Sequence, residues 1–127
     1  MKKFLIVSCV AALALPTVAF ADVSAELTVA SNHAGMASKA PALDTVHMHL
    51  HHVVNCLVGP MGTGFDATNA NPCAKQGNGA IADSTDAAQK TKLAAAVTKI
   101  NAGLASTDLA AAQKDASDAS AAIDGAK

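Results

Sequence analysis

The chain contains no arginine, tryptophan or tyrosine. Arginine supplies bidentate contacts to phosphates and base edges, and aromatic rings supply the stacking platforms of single-strand binders. Nucleic acid is therefore not an expected partner. Setting aside Lys2 and Lys3, seven lysines face ten acidic residues, so an acidic membrane surface is equally unpromising. After residue 21, Phe65 is the only aromatic side chain. A core of Leu, Val, Ile, Met and Ala buries modest area, and a domain this small is expected to need a covalent or metal staple. No stretch beyond the first twenty residues is long and apolar enough to be an integral membrane segment.

The opening has the form of a bacterial Sec-type signal. Lys2 and Lys3 precede the apolar run Phe4 to Leu15, and Ala19-Phe20-Ala21 is a small-x-small cleavage site. The expected organisation is a cleaved signal over 1–21 and one helical domain over 22–127, in the periplasm or secreted. Ile6-Val7-Ser8-Cys9 resembles a lipoprotein box but comes too early in the apolar run. Cys56 and Cys73 are the only other cysteines. In an exported protein such a pair is most simply a disulfide, and closing a loop of about seventeen residues contributes about 3 kcal/mol.

Hydrophobic periodicity predicts four helices. The first spans 22–40, capped by Asp22 or Ser24 and stopped by Pro41. The second spans 42–58, with Leu43, Val46, Leu50, Val53, Val54 and Leu57 in one stripe and Gly59-Pro60 closing it. Residues 59–84 are dense in Gly, Pro and Asn and read as a long loop, with Phe65 and Ile81 plugging the core. Gly59 to Pro72 is also a candidate interaction surface. The third helix spans 84–103 with Leu93, Val97, Ile100 and Leu104 inward, and the fourth spans 107–123, capped by Ser106 or Thr107. The expected fold is all-α: a small up-and-down four-helix bundle with a disulfide-tethered loop between helices 2 and 3.

The chemistry concentrates on the second helix. Asp44 to Cys56 carries His47, His49, His51 and His52, four of the chain's five histidines. His47 and His51 have the i, i+4 spacing that lets two imidazoles converge on one ion, and His49 with His52 has the i, i+3 alternative. His47 and His51 lie on one flank of the apolar stripe, with His49, His52 and Cys56 on the other. His33, on the first helix, is the remaining candidate ligand, with Met36, Met48 and Asp44 as auxiliary donors. Imidazole suits copper, zinc and nickel, and copper heads the affinity order.

The leading reading is a transition-metal protein for sequestration, carriage or sensing, with copper favoured. The alternative is an envelope module whose histidine helix is an interface to a protein partner or a second copy. A non-covalent haem bundle is a lesser alternative; covalent haem attachment is excluded because neither cysteine begins the required motif. Catalysis is not expected. His52 and Cys56 could form a base and nucleophile one turn apart, but the second cysteine favours a disulfide, and the carboxylates pattern as surface groups.

Overall fold

The computed structural model describes residues 21–127, and the signal segment read over 1–21 lies outside them but for its last residue. The described residues form five helices and no strand: α1 (Val23–Ala37), α2 (Leu43–Val58), α3 (Ala80–Asp83), α4 (Ala87–Ala105) and α5 (Leu109–Asp124). None is long and apolar enough to cross a membrane.

Aspartate caps set the starts of α1, α4 and α5. The Asp22 carboxylate accepts the Ala25 N–H and opens α1. Asp86 accepts the Ala88 and Gln89 N–H groups, so α4 begins at Ala87 instead of Ser84. Ser84 itself is extended and separates α4 from the one-turn α3, which the periodicity did not reveal. Asp108, and not Ser106 or Thr107, caps α5 by accepting the Ala111 N–H. Each of these caps meets backbone donors that the first turn leaves unpaired. α1 ends three residues early, at Ala37, and α2 ends at Val58, capped by Gly59, whose φ of 67° few other residues adopt without strain.

α1 packs on α2 and α5, α4 on α5, and α2 also touches α4 and α5. The α2 stripe of Val46, Leu50, Val53, Val54 and Leu57 is fully or almost fully buried. Leu27, Leu93, Ile100 and Ile123 meet it from the other helices, while Ala30, Ala34, Ala112, Ala116 and Ala119 fill the space between. Such small side chains let helices approach closely enough to reach ordinary interior density. Gly103 marks one such approach: a Cβ there would stand 2.8 Å from Leu50 Cδ1. Val97 and Leu104, expected inward, are only half-buried, and Ala96 and Gly103 take the interior positions of α4.

Residues 59–79 contain turns and no helix. Cys56 and Cys73 form a disulfide with their Cα atoms 5.1 Å apart, fastening this segment to the end of α2. Phe65 and Ile81 pack partly buried against the core. One carboxylate departs from the expected surface pattern: Glu26 is wholly buried.

Candidate metal centre

The histidines of α2 divide according to what each flank of the helix faces. Val46 and Leu50 point into the core, so neighbouring positions on either side border different elements. On the flank toward α1, His49 and His52 meet His33. His33 Nδ1 lies 3.1 Å from His49 Nδ1 and 3.4 Å from His52 Nδ1. One ligand atom from each ring falls within 4.8 Å of the other two, and all three residues are half-buried. The His33 ring stands edge-on to His52, with centroids 4.9 Å apart.

On the other flank each histidine of the i, i+4 pair has its own partner within the chain. His47 donates its Nε2–H to the Ser106 carbonyl at 3.1 Å, bracing the link between α4 and α5. His51 Nδ1 pairs with the Asp66 carboxylate at 3.1 Å, bracing the segment after α2. The Thr68 hydroxyl and Asn69 amide also donate to Asp66, and with the Thr68 N–H they hold its carboxyl at about 2, below the usual range. His47 and His51 thus each serve a separate structural contact, while His33, His49 and His52 come together.

The contacts within the trio are such that the three rings could hold a metal ion. A ring nitrogen carries either one proton or one in-plane lone pair, so His33 Nδ1 can make a good hydrogen bond to only one of its two neighbours. A metal ion accepts all three lone pairs at once. With metal–nitrogen bonds of 2.0–2.1 Å, the edge of a tetrahedron is about 3.3–3.4 Å, close to the separations seen here. Burial, reinforced by His52 and His49, lowers the His33 pKa to about 4. Burial, with His49 and His51 adding to it, also lowers that of His52. Both rings therefore favour the neutral form that coordinates a metal.

The chain matches no family model, no curated protein and no solved structure. The functional reading rests on this geometry.

Two features of the surroundings go beyond the roles read from the sequence. Asn55, fully buried one turn after His51, holds the segment after α2. Its amide donates to the carbonyls of Asp66, Asn69 and Ala70 at 2.9, 3.3 and 3.1 Å, and its oxygen accepts the Asp66 N–H at 2.8 Å. An Asn beside a Cys inside an apolar stripe was the available signal, because a buried amide must find partners. Glu26 is the second: its Oε1 accepts the Gly79 N–H at 2.9 Å, while Oε2 has no hydrogen-bond partner.

Proposed function

We propose that this is an exported metal-holding protein in which His33, His49 and His52 bind one transition-metal ion, copper being favoured, for sequestration, carriage or sensing without turnover. The observation that carries the reading is the convergence of three Nδ1 atoms from two helices at 3.1 and 3.4 Å. Copper heads the affinity order of divalent ions for nitrogen donors, with zinc and nickel as the other imidazole-compatible candidates. The disulfide agrees with an oxidising compartment, and so with a cleaved signal over 1–21. The contacts of α1, α2, α4 and α5 suit an up-and-down four-helix bundle, with the disulfide tethering the long loop.

Haem fits this geometry less well. Axial ligands approach from opposite faces of the porphyrin, and nitrogens 3.1 and 3.4 Å apart leave no room for a macrocycle between them. The interface reading of the histidine helix draws no comparable support, because His47 and His51 already have partners within the chain.

The test is metal titration of the full chain, prepared without a nickel column and quantified by amino-acid analysis because it has no Trp or Tyr. His33→Ala, His49→Ala and His52→Ala are each expected to weaken binding more than about a hundredfold, beyond what loss of a supporting contact does. His47→Ala and His51→Ala are expected to retain it. Affinity surviving in the first three variants and lost in the last two would reverse the assignment.

A further inference from the structure

Three imidazoles leave a tetrahedral ion one ligand short. The character of the missing ligand decides which ion the site prefers. Met36 follows His33 by three residues on α1, and side chains at that spacing are neighbours on one helix face. Met36 and His49 line a common groove between the two helices, together with Ser31, Asn32, Lys39 and Thr45. Met36 is 44 % exposed, so the core does not hold its side chain as it holds Leu27 or Leu50. Three rotatable bonds and a polarizable sulfur let a methionine reach and adapt.

Charge narrows the choice further. No carboxylate lines this groove, and the Lys39 side chain stands at it. Both cysteines outside the opening segment are joined in the disulfide, so neither supplies a thiolate. The donors along this groove are the His49 imidazole and the Met36 thioether, with Lys39 beside them; His33 adjoins through its place one turn before Met36 on α1. Three neutral imidazoles hold zinc(II) as well, so the thioether is the donor that favours a soft monovalent ion.

From this juxtaposition we infer that the site selects copper(I), with the Met36 thioether as the fourth ligand beside His33, His49 and His52. The inference rests on the metal reading of the trio and adds the oxidation state and the residue that confers it.

The test compares wild type, Met36→Leu, Met48→Leu and His33→Ala, as full chains, by anaerobic competition for copper(I) against a chromogenic chelator and by zinc(II) titration. Met36→Leu is expected to lose more than about tenfold in copper(I) affinity with zinc(II) affinity unchanged. X-ray absorption of the copper(I)-loaded protein is expected to show a sulfur scatterer that disappears in Met36→Leu and persists in Met48→Leu. Equal copper(I) affinity in wild type and Met36→Leu overturns the thioether assignment. So does a sulfur scatterer lost in Met48→Leu instead. Either result leaves the trio standing if His33→Ala still abolishes binding of both ions; binding that survives in His33→Ala removes the three-histidine site itself. Both methionines are exposed, and unchanged circular dichroism confirms that the leucine variants fold.

Discussion

At the scale of single residues, Glu26 carries the clearest conflict between burial and charge. Burial raises its carboxyl above the ordinary 4.5, the Gly79 N–H works against that rise, and Asp83 and Asp22 add to it. The folded chain thus keeps a proton that the unfolded chain has already released above about pH 4.5. Stability must then fall as pH rises from there until the folded group also ionises. Glu26→Gln keeps an oxygen for Gly79 and removes the buried charge. Its melting midpoint at pH 7 is expected to exceed that of wild type by on the order of a few degrees, with the gap closing near pH 4. Thermal melts followed by circular dichroism at the two pH values check this, and an equal loss at both would show that Gln packs badly. The histidines show what was legible at this scale. Four of them in six residues marked the candidate site, and helical periodicity places His47 and His51 on one flank with His49 and His52 on the other. The i, i+4 spacing nevertheless said nothing about what each flank would face. One flank met a carbonyl and a carboxylate, and the other met His33, sixteen residues before His49 in the chain. That meeting depends on how α1 packs on α2, which periodicity within one helix does not encode.

Among the elements, α2 organises the rest because each of its faces has a different task. Its stripe of Val46, Leu50, Val53 and Leu57 was legible, since a helix of this length must bury one apolar face. The ends of neighbouring helices were less so, because several Asp, Ser and Thr residues compete for each cap and the tertiary fold chooses one. The hidden role belongs to Asn55, which closes the segment after α2 through four hydrogen bonds to backbone groups. Removing the amide leaves three carbonyls and one N–H to find new partners at a buried position. Each net bond is worth about 0.5–1.5 kcal/mol and each orphaned buried group about 1–3 kcal/mol. Asn55→Ala is therefore expected to destabilise by about 2–4 kcal/mol in denaturant titration. Asn55→Asp should be worse at pH 7, where a carboxylate would face the same carbonyl oxygens, and should recover partly on acidification. A loss below 1 kcal/mol, roughly the weight of a single bond, would mean that the disulfide and the His51–Asp66 pair hold the segment without the amide.

For the whole molecule, the thin Ala-rich core makes cross-links matter. The disulfide ties the segment after α2 to the end of that helix, and a metal ion on the trio would tie α1 to α2. These act through different parts of the thermodynamics. The disulfide restricts the unfolded chain and contributes about 3 kcal/mol for a loop of this length. An ion favours the folded chain by mass action, by about 2.7 kcal/mol when free metal is a hundred times its Kd. Zinc(II), which is redox-silent, separates the two. In the Cys56→Ala/Cys73→Ala variant the melting midpoint is expected to drop, and added zinc is expected to recover most of that drop, because His33, His49 and His52 need only the packing of α1 on α2. In His33→Ala the disulfide remains while zinc is expected to give no upward shift. Should zinc raise the midpoint of His33→Ala as far as that of wild type, the ion would be held elsewhere on the chain. Should it fail only in the cysteine variant, the disulfide would be what sets the distance between α1 and α2 at the site.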